Sequence, residues 1–165
     1  MSTAVMLSIR PEWCEVIISG KKTVEVRKTR PAIRAPFKCY IYCTSGSVHE
    51  GLIVNRFGAK LIACGNWRTA IPVGGVIGNG KVIAEFICDW IDEYQPCDFG
   101  VLSEYSCLTI PEICGYIGDK GRGPYGWHIS DLVIYDKPRE LNEFKNRGER
   151  LTRAPQSWCY VEELG

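Results

Sequence analysis

Residues 7–27 have the sequence LSIRPEWCEVIISGKKTVEVR, and this stretch decides how the chain begins to fold. An alternating apolar pattern over residues 5–9 predicts a strand that stops at a proline, and proline is tolerated in the first turn of a helix. The apolar residues that follow have i, i+3, i+4 spacing, which predicts a short helix closed by Gly20. We therefore expect a strand, a helix and a second strand in close succession.

The second strand, predicted over residues 23–28, has one apolar and one polar face. Side chains alternate along a strand, so Val24 and Val26 lie on the first face and Glu25 and Arg27 on the second, about 7 Å apart. If the first strand lies alongside, Ser8 and Arg10 approach the same polar face. Charged groups therefore converge near the turn after the helix.

Two interpretations of this charge cluster remain open. An arginine can hold a phosphate or a base edge while a neighbouring glutamate orients it, which predicts a binding site at Glu25 and Arg27. The alternative is an exposed ion pair of little energetic value, and the residue types alone favour that alternative.

Further strands are predicted along the chain, with helices in the connections between them. The predicted strands cover residues 37–44, 81–90, 126–135 and 158–162. A capping box, Thr109 with Glu112, predicts a helix over residues 109–117, and a second short helix is predicted over 138–144. This order favours an α+β fold, a small and mostly antiparallel β-barrel or curled sheet with helices packed on it. Residues 45–80 have a weak, glycine-rich pattern with one short strand or helix expected around 52–64.

Length and composition indicate one soluble globular domain over residues 1–165. The chain has 165 residues, 45% of them hydrophobic and 24% charged, which suits a single core. No apolar run approaches the roughly 18 residues that span a bilayer, and the first ten residues lack the pattern of a secretory signal. We expect a cytoplasmic protein that does not bind membranes.

The nine cysteines are expected to be reduced thiols, most of them packed in the core. Cys39 and Cys43 are close in sequence, but on a strand they lie about 13 Å apart, too far to share one zinc ion. The sequence contains no C-x-x-C motif. We therefore predict no metal site and no cofactor.

Charge is sorted along the chain although the net charge is only +1. Residues 20–38 contain seven basic side chains and one acid, Glu25; the basic ones are Lys21, Lys22, Arg27, Lys28, Arg30, Arg34 and Lys38. Residues 85–112 contain seven acids and no base. Either the basic segment forms a surface suited to phosphates, or the two segments neutralise each other across the fold.

The opening of the chain resembles the ASCH domain family, relatives of the PUA-like RNA-binding fold. The resemblance rests on Leu-Ser-Ile-Arg-Pro at 7–11, followed by G-x-K-x-x-E-x-R at 20–27. GKVIAEF at 80–86 and WHISDL at 127–132 fit the later barrel strands of that family, whereas residues 48–73 look like a family-variable insertion. The resemblance implies a barrel with a ligand cleft lined by the motif and a role in binding RNA or nucleotides.

The resemblance also implies an enzymatic alternative. ASCH-related acetylcytidine amidohydrolases use a lysine, a threonine and a distal glutamate; Lys22 matches the lysine and Glu85 is the candidate for the distal acid. The threonine position falls on Glu25, so the hydroxyl expected to attack the acyl carbon is missing.

Trp127 and His128 are the remaining candidates. His128 could act with Lys22 or Glu25 as a ribonuclease-like acid–base pair, and Trp127 could stack on a base. A strand histidine is more often structural, and a strand tryptophan is more often part of the core.

The leading hypothesis is a domain that binds RNA or a nucleotide through Ser8, Arg10, Lys22, Glu25, Arg27, Trp127 and His128. If the chain is an enzyme, Lys22, Glu25 and His128 are the catalytic candidates, in a small hydrolase acting on an acylated nucleoside or RNA. A third hypothesis is a protein-interaction domain that uses the acidic segment 85–112.

Overall fold

The computed structural model describes residues 2–46, 50–63, 74–118 and 122–165. Its main element is a six-stranded sheet. Across the sheet, the strands are β11 (Trp158–Glu162), β1 (Thr3–Ile9), β3 (Phe37–Cys43), β7 (Lys81–Glu93), β8 (Tyr125–Arg139) and β2 (Val24–Arg27). The β1–β3 pair is parallel and the other pairs are antiparallel, as expected for a mostly antiparallel α+β fold.

The central strands are buried on both faces. In β1, Val5, Leu7 and Ile9 join the main core on one side, while Ala4 and Met6 join a second cluster on the other. In β3 the same alternation separates its cysteines from Tyr40. The simple alternation predicted from sequence is therefore correct in period, but both faces of the sheet are covered.

The sheet curls until its two edge strands, β2 and β11, approach each other along a seam. The chain leaving β2 bonds to β11: the Trp158 indole donates to Thr29 Oγ1 at 2.9 Å, and the Ala32 amide donates to the Tyr160 hydroxyl at 2.8 Å. These side-chain bonds hold the half-barrel closed where no strand pairing joins β2 to β11 in the described residues.

In the described parts of the chain, three α-helices lie on the sheet. The first, α1 (Pro11–Ile18), follows β1 as predicted. The second, α2 (Phe99–Ser106), was not predicted from sequence; the third, α3 (Ile110–Ile117), begins at the expected Thr109–Glu112 capping box. Apolar residues of α2 and α3 cover Val24 and Val26, which places the apolar face of β2 under these two helices.

A separate three-stranded sheet contains β5 (Gly58–Ala63), β4 (Glu50–Asn55) and β6 (Val76–Ile77), in that order. Strands β4 and β5 form a hairpin whose Leu52 and Val54 enter the main core, and this sheet packs against α1. The hairpin lies within the stretch 48–73 that we predicted to be a family-variable insertion. Residues 48–49 and 64–73 of that stretch lie outside the described residues.

One predicted helix is wrong. Residues 138–144 were expected to be helical, but β8 continues to Arg139, and a 3₁₀ turn over Leu141–Glu143 follows it. Long pairing with β7 overrides the local helical pattern. Two short strands, β9 (Lys145–Asn146) and β10 (Glu149–Arg150), form a small ribbon before β11.

Candidate functional site

A pocket of about 420 Å³ opens where β1 and β3 end. Its floor is built by Lys22, Glu25 and Arg27, which lie at the junction of α1 with β2. Its other lining residues come from five different segments: Ser8, Ile9, Arg10, Trp13, Val26, Thr44, Leu108, Glu112, Tyr116, Gln156 and Ser157. The volume lies in the range of small-molecule sites, about 300 to 1,000 Å³.

Lys22 reaches the pocket because the chain is not yet a strand at this point. Gly20 has φ of +80°, a conformation that glycine adopts at little cost, and the Lys22 amide bonds back to the carbonyl of Val16. Strand alternation would have turned Lys22 away from Glu25. The turn instead puts its ammonium 3.4 Å from Glu25 Oε2, consistent with its position in the family motif.

The Lys22 ammonium also donates to the carbonyl oxygen of Ser106, at 2.7 Å. Ser106 is fully buried and ends α2, so the cation sits at the negative end of that helix. Lys22 therefore links β2 to the helices that form one wall of the pocket.

Each nitrogen of the Arg27 guanidinium has a hydrogen-bond partner within the protein. Its Nε and Nη2 lie 3.0 and 2.8 Å from Glu25 Oε1. Nη2 also donates to the Ser8 carbonyl at 2.9 Å, and Nη1 donates to the carbonyl and the hydroxyl of Ser157, both at 3.2 Å. A guanidinium has five N–H donors, and Arg27 makes four hydrogen bonds and one further ion-pair contact. Arg27 is therefore a bridge across the seam, from β2 to β1 and the start of β11.

The interpretation of Glu25 and Arg27 as an exposed ion pair is wrong. Lys22 is 2% exposed, and Glu25 and Arg27 are 7% exposed each. The three groups carry two positive charges and one negative charge, which leaves one positive charge in excess. Burial makes that excess charge costly and makes an anionic partner favourable.

Two aromatic side chains stand beside the floor. The Trp13 ring lies 5.2 Å from the Lys22 ammonium, and the Tyr116 ring lies 5.0 Å from that of Lys28. Burial raises the pKa of Tyr116, so its hydroxyl remains a hydrogen-bond donor at neutral pH. Neither residue was singled out from the sequence, because both helices have ordinary amphipathic patterns.

The rim of the pocket is polar. Arg10 is exposed at the opening, whereas the Ser8 hydroxyl is already bonded to the carbonyl of Pro155, at 2.6 Å. The Glu112 carboxylate accepts from the amide and hydroxyl of Thr109 in the capping box. Arg10 is thus the rim cation that remains available to a ligand.

Trp127 does not offer a stacking surface to a ligand, contrary to the expectation from sequence. It is fully buried and packs between Phe37 and Trp158, at ring-centroid distances of 5.9 and 5.8 Å. Its register partner is Glu25, so it lies on the inner face of the β2–β8 pair, beneath the floor cluster. The alternative given for a strand tryptophan, a core position, is correct.

His128 does not join Lys22 and Glu25. It pairs in register with Val24, on the opposite face of the same two strands, and its Nε2 lies 3.2 Å from Asp92 Oδ2. His128 points away from the pocket because neighbouring residues of a strand point to opposite faces, and Trp127 is the residue that pairs with Glu25. The acid–base pair of His128 with Lys22 or Glu25 is not formed.

Glu85 is also separate from the pocket. Its carboxylate accepts from the Tyr135 hydroxyl at 2.6 Å and pairs with Lys38 at 3.1 Å. The distal acid required by the amidohydrolase alternative is therefore engaged elsewhere. This ion pair also joins the basic segment to the acidic one, so neutralisation across the fold holds for Lys38.

Three other basic residues of that segment, Lys28, Arg30 and Arg34, are exposed and form no ion pair within the described parts of the chain. The acidic segment exposes apolar side chains as well, of which Trp90 is the most exposed at 60%. The charge of the basic segment is thus neutralised at Lys38 and not at these three residues, within the described residues.

Within residues 2–46, 50–63, 74–118 and 122–165, no group of three or more His, Cys, Asp or Glu side chains has the arrangement of a metal site. Cys39 and Cys43 are buried in the core, and burial raises the pKa of Cys88 to about 12. No helix of the described chain has the length and apolar character needed to cross a bilayer.

Comparisons with known proteins agree with this fold. Residues 7–46 match the family model of the ASCH domain. Crystal structures of an ASCH protein from Zymomonas mobilis and two of its single-residue variants are similar to this chain, with TM-scores of 0.61, 0.64 and 0.64. Each is 18% identical and is matched over 97% of this chain and 88, 91 and 89% of its own. Comparison with curated proteins gives no match.

The matched segment contains β1, α1, the floor of the pocket and β3. The structural similarity extends over the rest of the chain. The chain thus has the fold of the Zymomonas mobilis ASCH protein, and the match to the ASCH domain model itself covers residues 7–46.

Proposed function

We propose that this pocket binds a nucleotide, either free or as one unit of an RNA chain. The observation that carries the proposal is the buried floor cluster, in which Lys22 and Arg27 outnumber Glu25 by one charge. A phosphate oxygen at Lys22 would neutralise the excess through a charge-assisted hydrogen bond.

Lys22 and Arg27 have different roles in this proposal. All three nitrogens of the Arg27 guanidinium are bonded within the protein, whereas the Lys22 ammonium has three protons and contacts Ser106 and Glu25. Lys22 is thus the floor cation with a donor to offer, and Arg27 holds the floor in place.

Trp13 and Tyr116 supply the second half of the recognition. Aromatic side chains stack on nucleobases with little preference among bases, at about 1 to 3 kcal/mol each. A simple anion such as sulfate would use Lys22 alone, whereas a nucleotide would use Lys22 together with an aromatic wall. Hydrolysis is not proposed, because Glu25 replaces the threonine and Glu85 lies outside the pocket.

Calorimetric titration with nucleoside monophosphates, nucleosides and inorganic phosphate tests the proposal. We expect monophosphates to bind more tightly than either fragment. Lys22→Met removes the ammonium at nearly constant volume and should weaken monophosphate binding at least about tenfold, the equivalent of about 1.4 kcal/mol. Lys21→Met is the matched control, because Lys21 is adjacent and exposed and should not affect binding.

The melting temperature of each variant is measured in parallel, since Lys22 also bonds to the end of α2. If wild type binds none of these ligands, the proposed function is wrong. If a folded Lys22→Met variant binds monophosphates as wild type does, the ligand does not use this floor.

A further inference from the structure

The seam beside the pocket has a basic covering. After Arg27 the chain runs along β11, and its contacts mark the path: Arg27 bonds to Ser157, Thr29 to Trp158 and Ala32 to Tyr160. Three residues of a strand span about 10 Å, so this path extends about 10 Å from the pocket floor along the barrel wall.

The side chains that this path presents to solvent are predominantly positive. Lys28, Arg30 and Arg34 are exposed, and none of the ion pairs found in the described residues includes them. Residues 28–38 contain no acidic residue. An uncompensated row of cations suits a linear polyanion.

The row and the pocket are continuous. The Lys28 ammonium lies 5.0 Å from the Tyr116 ring, which lines the pocket, and Lys28 follows directly after Arg27 of the floor. Lys28 therefore joins the pocket to the exposed segment that carries Arg30 and Arg34.

We infer that the protein binds a single-stranded polynucleotide, with one nucleotide in the pocket and the adjoining backbone along Lys28, Arg30 and Arg34. The inference rests on the proposed function and adds the class of ligand and its direction. A single strand fits because its bases are free to enter a pocket of about 420 Å³, whereas the bases of a duplex are paired and stacked.

The test compares ligand length and salt dependence. Fluorescence anisotropy measures the binding of oligoribonucleotides of two to eight units, with a mononucleotide as competitor. We expect affinity to rise with length until the row is covered. The double variant Arg30→Ala/Arg34→Ala should weaken octamer binding by up to about 25-fold at 0.1 M salt and reduce the salt slope by about 1.4, because each contact to a single strand contributes about 0.7.

Mononucleotide binding should be unchanged in this double variant, because neither arginine lines the pocket. The matched control is Arg56→Ala/Lys60→Ala, which removes the same charge from the β4–β5 hairpin packed on α1. It should leave both ligands unaffected. Parallel titrations with DNA of the same sequence and with blunt RNA duplex distinguish the sources of the polyanion.

Three outcomes would overturn the inference. If a mononucleotide binds as tightly as the octamer, with the same salt slope, the row of cations does not contact the ligand. The proposal for the pocket is then unaffected. If Arg30→Ala/Arg34→Ala and Arg56→Ala/Lys60→Ala weaken octamer binding equally, the effect comes from net charge alone. A duplex that binds as tightly as the single strand contradicts the route through the pocket. Failure of the mononucleotide to bind at all overturns the proposed function instead.

Discussion

The β2–β8 strand pair carries charged or polar side chains on both of its faces, and the fold places them in opposite environments. On the inner face, Glu25 and Arg27 lie over Trp127 and are buried. On the outer face, His128 pairs with Asp92, and both side chains are more than a third exposed. Trp127 and His128 are neighbours in sequence, yet one is in the core and the other faces solvent. The difference shows that burial, and not residue type, decides whether a charged pair belongs to a site.

The largest effect is expected at Arg27. Arg27→Ala breaks the bridge between β2, β1 and β11 and leaves Glu25 buried with one cation, so the free energy of unfolding should fall by about 3 to 5 kcal/mol. For a chain of this size that is a loss of roughly 10 °C in Tm.

Thermal and urea unfolding would measure the loss, with Arg10→Ala as the control because Arg10 lies exposed at the rim. The control should change stability by no more than about 0.5 kcal/mol. If Arg27→Ala is too unstable to purify, Arg27→Lys should fold with intermediate stability. Wild-type stability in Arg27→Ala would mean that the seam is held closed without this bridge.

The next effect is expected at Glu25. Glu25→Gln keeps the shape of the side chain but replaces one carboxylate oxygen by an NH₂ group. In one amide orientation the NH₂ group faces the Lys22 ammonium, and in the other it faces Arg27, so one of the two cations loses its acceptor. We expect unfolding to become easier by about 1.5 to 3 kcal/mol, the range for hydrogen bonds to charged groups.

The same variant raises the positive excess of the floor, so its affinity for phosphate-bearing ligands should not fall. Urea unfolding combined with calorimetric titration checks both statements. Loss of binding without loss of stability would indicate that Glu25 contacts the ligand directly.

A smaller effect is expected at Trp127. Its indole N–H has no partner within the described chain, so Trp127→Phe removes an unsatisfied donor while losing part of the ring volume. The two contributions oppose each other, and the net cost should stay below about 2 kcal/mol. Nucleotide affinity should be unchanged, whereas a tryptophan that stacked on the ligand would lose affinity in this variant.

The smallest effect is expected at His128. Exposed ion pairs contribute about 0 to 1 kcal/mol, so His128→Ala should change stability by less than about 1 kcal/mol and leave nucleotide binding intact. A double-mutant cycle with Asp92→Asn measures the pair itself. If His128→Ala loses as much binding as Lys22→Met, His128 contacts the ligand. That result would contradict its position on the face opposite Glu25 and Arg27.

Local pattern predicted much of the fold. The β1–α1–β2 succession, the alternation of β3 and the capping box of α3 are each encoded within a few neighbouring residues, and all three are present. Helix α2 was missed because its eight residues have no cap or strong periodicity, and the helix predicted over residues 138–144 is strand because pairing with β7 outweighs local propensity.

For the candidate site, the sequence by itself determined that Glu25 and Arg27 share one face of a strand, and the resemblance to the ASCH motif added Lys22, which strand alternation alone would have turned away. Only the tertiary structure decided that this cluster is buried and that His128 is excluded from it. It also supplied Trp13, Tyr116, Ser106 and Ser157. The physical reason is that burial and pairing depend on segments distant in the chain, since Ser157 reaches Arg27 and Ser106 reaches Lys22 only when the sheet curls and the helices close over it.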